Sequence, residues 1–383
     1  MSRKSKRRAH ADLIERRSAP GAAPGSIVID PKAPKPLVQL IAYGPDTIIE
    51  QPLDDPAGVA GFLDKYPVVW VNVDGLGDAT VVRKLGEIFG LHRLALEDVV
   101  NTHQRPKAEQ YEKHLFIVGR MVEMGERIET EQLSLFLGKN FVLTFQELPG
   151  DSFDPVRERI RKAGGRIRNA GPDYLAYALI DAFIDHYFPV LEAYGERLES
   201  MEEQVITRPG PQLVSQIHEM KRDLLTLRRA IWPLREAVNS LVREPRAFIS
   251  DETRIYLRDC YDHTIQIIDL LENYRDVASS LMEVYLSSMG NRLNEVMKIL
   301  TMFTAFFIPL SLIAGIYGMN FSTDKSPLNM PELNWYFGYP FALCLMAAVG
   351  LSMLFFFRRK GWLGSRGAGP KTDASRDSDA TGT

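Results

Sequence analysis

The sequence has little cysteine and no excess of charge of either sign. Its only cysteines are Cys260 and Cys344, and neither stands in the Cys/His spacing of a zinc site, so we expect neither a disulfide framework nor structural zinc. Lysine and arginine number 46 and aspartate and glutamate 49, which gives a formal net charge of −3. Because a basic footprint is missing, we expect no nucleic-acid partner.

We also expect no signal peptide at the start of the chain. Residues 1–26 are basic and rich in Pro, Gly and Ala, but they lack the apolar run of about 7–15 residues that such a peptide needs. We therefore expect the N-terminal domain to stay in the cytoplasm.

Patterns that would indicate an enzyme are absent as well. The seven histidines include no pair at the helical spacing of a metal site, and no serine or cysteine stands in a triad context. The run Val73-Asp74-Gly75-Leu76-Gly77 resembles a dinucleotide fingerprint, but Thr80 occupies the third glycine position. The pattern favours a plain turn over a nucleotide site, and we predict that the protein is not an enzyme.

Periodicity predicts a compact α/β domain followed by long helices. Alternating apolar residues predict strands, and two helical patterns stand between the second and third of them. The strands are 37–43, 68–73, 114–121, 132–137 and 141–144, and the helices are 79–89 and 94–100. Further helices are predicted at 174–206, 212–242 and 251–319, the last with Ser250 or Asp251 as N-cap and a length of roughly 100 Å.

Two apolar runs near the C-terminus predict membrane spans. Residues 299–323 and 337–357 contain no charged side chain, and each run reaches the ~20 residues that a span needs. The competing interpretation, two buried helices of a soluble core, fits poorly with Arg358-Arg359-Lys360 directly after the second run. By the positive-inside rule that cluster is cytoplasmic, as are Arg292 and Lys298, so both termini are expected inside the cell.

The predicted fold class is α+β/α. The α/β domain precedes long helices, and a stalk helix continues into the first of two transmembrane helices. The boundaries are 1–35 for a disordered basic arm, 36–150 for the α/β domain, 151–249 for a helical region, 250–298 for the stalk helix, 299–320 for transmembrane helix 1, 321–336 for an external loop, 337–357 for transmembrane helix 2, and 358–383 for a basic cluster with a disordered tail.

A stripe of small and partly polar residues follows one face of the long helix. Steps of three and four residues give Asn294, Met297, Thr301, Thr304, Ile308, Ser311, Gly315 and Gly318. Two explanations stay open. The stripe is either a close helix contact in lipid, where small residues are favoured, or the lining of a pore shared by several copies.

The sequence Tyr317-Gly318-Met319-Asn320 ends that helix. As a pore entrance, it would offer the Asn320 side-chain carbonyl and backbone carbonyls near Gly318 to a hydrated Mg²⁺, which sheds its water reluctantly. Glycine is expected there for a backbone that other residues avoid. A simple helix C-cap at the membrane interface explains the same residues.

Several motifs resemble the CorA family of magnesium/cobalt transporters. The most specific is Gly315-Ile316-Tyr317-Gly318-Met319-Asn320-Phe321, at the end of the penultimate span. The others are Asn294-Glu295-Val296-Met297-Lys298, Phe307-Ile308-Pro309-Leu310, Met330-Pro331-Glu332-Leu333, Gly338-Tyr339-Pro340, Leu96-Glu97-Asp98-Val99, Gln104-Arg105-Pro106-Lys107, Asp173-Tyr174-Leu175, Trp232-Pro233-Leu234-Arg235 and Arg258-Asp259-Cys260-Tyr261-Asp262-His263. The resemblance covers about residues 60–362.

This resemblance implies a funnel-shaped homopentamer in the cell inner membrane that carries Mg²⁺, with Co²⁺ or Ni²⁺ as alternative ions. It implies that Gly318, Met319 and Asn320 form the selectivity entrance and that the stripe lines the pore. It also implies gating by Mg²⁺ bound between cytoplasmic domains, at Asp98 with Glu97 beside it and at Asp259. Without the family, these three carboxylates are ordinary solvated acids.

Two departures and two alternatives accompany the resemblance. The loop 322–329 is longer than the shortest loops of the family, and Glu283, where some members have Asp, is either near the inner pore face or a surface charge. A related zinc transporter is one alternative, although such members usually carry Ile in place of Met319. A membrane-anchored scaffold without conductance is the other.

Overall fold

The computed structural model describes residues 21, 23–125, 127–244, 247–319, 321, 326 and 328–362. The chain divides into two compact units, residues 1–284 and 285–383. Residues 1–20 and 22 of the predicted basic arm, Asn320, residues 322–325 and 327 of the predicted external loop, and the C-terminal tail after residue 362 lie outside the described residues.

The first unit is built on a seven-stranded sheet. Its strands are β1 (Leu37–Tyr43), β2 (Ile48–Pro52), β3 (Val68–Asp74), β4 (Lys107–Gln110), β5 (Leu115–Met124), β6 (Ile128–Leu137) and β7 (Phe141–Gln146). Their order is β2-β1-β3-β7-β6-β5-β4, and only β3 and β7 are parallel. All seven residues of β3 are buried, as the near-continuous apolar run of a central strand requires.

Two amphipathic helices cover one face of this sheet. After a 3₁₀ turn (Pro56–Val59) and the short α1 (Ala60–Leu63), they are α2 (Ala79–Ile88) and α3 (Arg93–Val100). Asp78 caps α2 by accepting a hydrogen bond from Thr80 N at 2.7 Å. Leu85 of α2 and Leu96 of α3 belong to one buried cluster with Val69 and Val71 of β3, so apolar burial holds this layer together.

Among the described residues, four helices lie between the sheet and the longest helix. They are α4 (Asp154–Arg161), α5 (Pro172–Asp185), α6 (Tyr187–Thr207) and α7 (Pro211–Arg243). Phe183 of α5 lies against β5, where a Cβ added to Gly119 would stand 2.8 Å from its ring. The expectation of one helix over 174–206 is wrong, because the helix is interrupted at His186, between α5 and α6. Pro189, in the first turn of α6, cannot donate to the carbonyl of Asp185.

The longest helix is α8 (Asp251–Tyr317). Ser250 caps it, because its Oγ accepts a hydrogen bond from Thr253 N at 3.2 Å. In the second unit, a 3₁₀ turn (Pro331–Asn334) precedes α9 (Gly338–Arg359). The fold class is thus an α/β domain, long helices, and one very long helix that runs into the first of two apolar C-terminal helices.

Candidate functional site

Among the described residues, two helices are long and apolar enough to cross a membrane. They are α8 and α9, and the most apolar 18-residue window of each has a mean hydropathy of 2.2. None of the window in α8 and only 17% of the window in α9 is buried within the single chain. Apolar surface of this extent needs lipid or other protein copies as its cover.

Within the second unit, one face of α8 is half-buried along the apolar segment. A Cβ added to Gly350 of α9 would lie 3.7 Å from the Phe306 ring, so α9 packs on this face. The half-buried residues follow helical spacing and are Met302, Ala305, Phe306, Pro309, Leu310, Ile313 and Tyr317.

The predicted pore-lining stripe lies on the opposite face of the same segment. At about 100° per residue, its members point on average roughly 180° away from the half-buried face. All eight, from Asn294 to Gly318, are exposed in the single chain, and so is Glu283 in the first unit. Thr301 Oγ1 donates to Met297 O at 2.8 Å, and Thr304 Oγ1 donates to Leu300 O at 2.9 Å. Each hydroxyl therefore directs its proton to the backbone and leaves an oxygen lone pair for water or a hydrated cation.

The end of α8 is formed by short-range hydrogen bonds. Gly318 N donates to Ala314 O at 2.9 Å, and Met319 N donates to Ile316 O at 3.2 Å. Gly318 does not adopt positive φ, so the expectation of a glycine-only backbone is wrong at this residue. A side chain at 318 would instead approach Ala314 O, at 3.2 Å from its Cβ. Asn320 itself lies outside the described residues.

The predicted external residues begin with a strained position. Met330 has φ +40°, in the left-handed region that favours glycine, and Pro331, Glu332 and Leu333 form the 3₁₀ turn after it. Gly338 is needed where α9 starts, because a Cβ there would clash with Glu332 O.

Each of the three predicted regulatory carboxylates has its own surroundings in the single chain. Asp98 and Glu97 lie on α3 and are half-buried. Asp98 Oδ2 is 2.7 Å from Lys107 Nζ, and Glu97 Oε2 accepts a hydrogen bond from Gly25 N at 2.7 Å. Asp259 lies on α8, and its side chain is 67% exposed. Carboxylate oxygens are the ligands that Mg²⁺ prefers, so these residues fit the ion chemically.

A cluster that the sequence analysis missed lies next to Asp259. One ligand atom from each of Asp181, Asp185 and His263 lies within 4.8 Å of the others. His263 Nε2 is also 3.9 Å from Asp259 Oδ2. His263 Nδ1 is 3.0 Å from Asp185 Oδ1 but without hydrogen-bond geometry, so the two groups are near neighbours only. Burial, and then the charge of Asp185, raises the pKa of Asp181.

Only the spacing within each helix of this cluster was visible in the sequence. Asp181 and Asp185 are four residues apart on α5, and Asp259 and His263 are four apart on α8, so each pair shares a helix face. A search for histidine pairs alone passes over such mixed pairs. Imidazole with carboxylates suits a transition-metal ion better than Mg²⁺.

The glycine-rich turn after β3 is a plain turn. Gly75 N donates to Gln146 O at 3.0 Å, and Gly77 N donates to Pro34 O at 2.8 Å. These N–H groups would have to face a phosphate in a dinucleotide site, but both are used within the chain. Gly75 has φ +96°, which explains the glycine without a ligand.

The family model and the relatives found by sequence identify one family. The model described as "CorA-like Mg2+ transporter protein" matches residues 67–359. The "Cobalt/magnesium transport protein CorA" of Thermotoga maritima is 45% identical over 347 residues, 90% of this chain and 97% of that protein. The "Putative metal ion transporter YfjQ" of Bacillus subtilis is 37% identical and covers 78% of this chain and 92% of its own length. The fold is similar to the complete structure of the CorA magnesium transporter from Methanocaldococcus jannaschii, with a TM-score of 0.71 and 24% identity over 88% of this chain and all of that one.

Proposed function

Because the chain belongs to the family of CorA-like Mg²⁺ transporter proteins, we propose that it forms a channel for Mg²⁺ in the inner membrane. Influx is passive and driven by the membrane potential, and Co²⁺ or Ni²⁺ are alternative ions. The name of the Thermotoga maritima relative, a cobalt/magnesium transport protein, supports the choice of ions.

The observation that carries this proposal is the face of α8 on which the polar stripe lies. The α9 helix packs on the side that holds Phe306, so the side with Thr301, Thr304 and Ser311 is free to meet other copies. Around a shared axis, it would present hydroxyl oxygens and no fixed charge. Such a column suits an ion that keeps its water, because Mg²⁺ gives up its octahedral shell reluctantly and is held through outer-sphere hydrogen bonds.

We further propose a homopentamer with both termini in the cytoplasm. The uncovered apolar window of α8 supports association, since lipid and neighbouring copies can cover it. The cluster Arg358-Arg359-Lys360 at the end of α9 supports the orientation by the positive-inside rule. The entrance is assigned to Asn320 with Gly318 and Met319.

Regulation by internal Mg²⁺ completes the proposal. Asp98, with Glu97, would face Asp259 of a neighbouring copy, and the carboxylates would repel one another when no ion is bound. A divalent cation between them offsets this repulsion and holds the copies in a closed arrangement. The exposure of Asp259 supports its availability to such an ion.

Flux into liposomes that contain the full chain tests the proposed function. Mg²⁺, Co²⁺, Ni²⁺ and Zn²⁺ are compared under an inside-negative potential, and Asn320→Ala is compared with Asn329→Ala, a control in the predicted external loop. We expect Mg²⁺ flux that Asn320→Ala abolishes without loss of assembly. Undiminished flux in Asn320→Ala would remove the entrance assignment. Selective Zn²⁺ flux, or no flux with a monomeric chain, would support the zinc transporter or the scaffold instead.

A second experiment tests the regulatory part. The double variant Asp98→Lys with Asp259→Lys should keep conducting when Mg²⁺ is raised on the inside, because lysines cannot bind the ion. If internal Mg²⁺ inhibits this variant as strongly as the wild type, the regulatory Mg²⁺ site does not depend on Asp98 and Asp259.

A further inference from the structure

Asp98 is held by a network of charges within its own chain. Lys107 Nζ lies 2.7 Å from Asp98 Oδ2 and 2.8 Å from Glu109 Oε1. Tyr111 donates its hydroxyl proton to Glu109 Oε2 at 3.1 Å. The side chains of Lys107 and Asp98 are only 28% and 20% exposed, so solvent screens their attraction less than it screens a surface pair.

The local sequence explains why the ammonium group is fixed there. Every second residue from Lys107 through Glu109 of β4 to Tyr111, directly after the strand, points to the same side. The three side chains therefore share one face. Lys107 pairs with Val118, and Glu109 pairs with Phe116, in the antiparallel β4–β5 ladder. The Lys107 ammonium lies 5.8 Å from the centre of the Phe116 ring, which adds a cation–π contact.

We infer that Lys107 is a tethered counter-ion that lowers the divalent-cation affinity of Asp98 and so sets the Mg²⁺ concentration at which the regulatory site fills. The inference rests on the proposed regulatory role of Asp98. A cation that binds Asp98 must either displace the ammonium from Oδ2 or bind next to a positive charge. Both are unfavourable, and the ammonium competes at every Mg²⁺ concentration because it is covalently attached.

Without Lys107, the same region gains negative charge. Asp98 and Glu109 would then stand close together without a cation between them, and repulsion between carboxylates favours binding of a divalent ion. Lys107 therefore acts opposite to a residue that merely orients Asp98 for the metal. An orienting residue strengthens metal binding, whereas a competing cation weakens it.

The test is a calorimetric titration of the full chain in detergent with Mg²⁺. Lys107→Met should lower the half-saturating Mg²⁺ concentration by about fivefold, the factor expected for loss of a partly screened ion pair. Lys84→Met is the matched control, because it removes the same charge from the same domain and breaks an exposed ion pair with Asp55 at 2.5 Å. It should leave the concentration unchanged. An unchanged or higher half-saturating concentration in Lys107→Met would overturn the inference.

Two further variants separate this inference from the regulatory proposal. Asp98→Asn should weaken Mg²⁺ binding, and Lys107→Met should have no additional effect in that background, because the competition is then gone. If Asp98→Asn leaves the titration unchanged, the regulatory role of Asp98 fails. If Asp98→Asn weakens binding but Lys107→Met does not strengthen it, only the role of Lys107 fails. Lys107→Arg keeps the charge and should retain wild-type affinity, and a fivefold gain in that variant would contradict competition by charge.

Discussion

Replacing Asp74 by asparagine should stabilise the protein at pH 8 and change its stability little near pH 3. Asp74 ends β3 and is only 8% exposed. Burial, and then the nearby charge of Asp151, raises the pKa of Asp74 from 3.8 to about 6. Asn72 Nδ2 donates to Asp74 Oδ1 at 2.8 Å, and an asparagine at 74 keeps an oxygen for that bond.

The direction and size of this stability change follow from the raised pKa of Asp74. An acid whose pKa is higher in the folded than in the unfolded state destabilises the fold when it is ionised. The cost is absent below pH 3.8, grows as the pH rises, and is complete above about pH 6. A shift of about two pKa units corresponds to about 3 kcal/mol, which Asp74→Asn should recover at pH 8 but not near pH 3.

Urea unfolding, monitored by tryptophan fluorescence, measures the difference in free energy of unfolding between Asp74→Asn and wild type. Trp70 lies on the same strand as Asp74 and is 1% exposed, whereas the other three tryptophans are at least 36% exposed. The change in Trp70 emission therefore reports on unfolding of this sheet. A free-energy difference between variant and wild type that stays constant from pH 3 to pH 8, or a variant less stable at pH 8, would refute the reasoning.

Three further changes should alter the stability of the first unit, all measured by the same unfolding assay at pH 7 unless stated. Arg157→Met should cost about 3–5 kcal/mol, because it leaves Asp151, whose side chain is 3% exposed, without its cation at 2.6 Å. Gly119→Ala should cost about 1–3 kcal/mol, because the new Cβ would lie 2.8 Å from the Phe183 ring. Glu131→Gln should be stabilising by up to about 3 kcal/mol at pH 8 but not at pH 4, because burial raises the pKa of Glu131 to about 7.

Central strands were predictable from sequence, whereas edge strands were not. The run 37–43 matches β1, because β1 is paired on both sides and its apolar residues other than Leu37 are buried. The strands β2 and β4 were missed, and they are the two edges of the sheet. Their residues are half-buried or exposed, so no apolar alternation marks them.

Some features of the candidate site were predictable from sequence, and others depend on how the chain folds. The stripe on α8 was predictable, because steps of three and four residues place its members on one face of the helix. The sequence places Lys107 in a motif but does not reveal its contact with Asp98, since no local pattern shows that a strand residue reaches a carboxylate on α3. The cluster of Asp181, Asp185 and His263 depends on the packing of α5 against α8, which sequence spacing on either helix cannot supply.

Cysteine accessibility along α8 tests most directly whether the polar stripe lines a watery path. In a Cys344→Ser background, where Cys260 is buried, Ser311→Cys is compared with Ile316→Cys. Both positions are exposed in the single chain, but they point about 140° apart, and Ile316 lies outside the stripe. A charged, membrane-impermeant thiol reagent should modify Ser311→Cys in the assembled protein, more slowly when Mg²⁺ is present, and should leave Ile316→Cys unmodified. Equal modification of both positions, or reaction at Ile316→Cys alone, would contradict a shared ion path along this face.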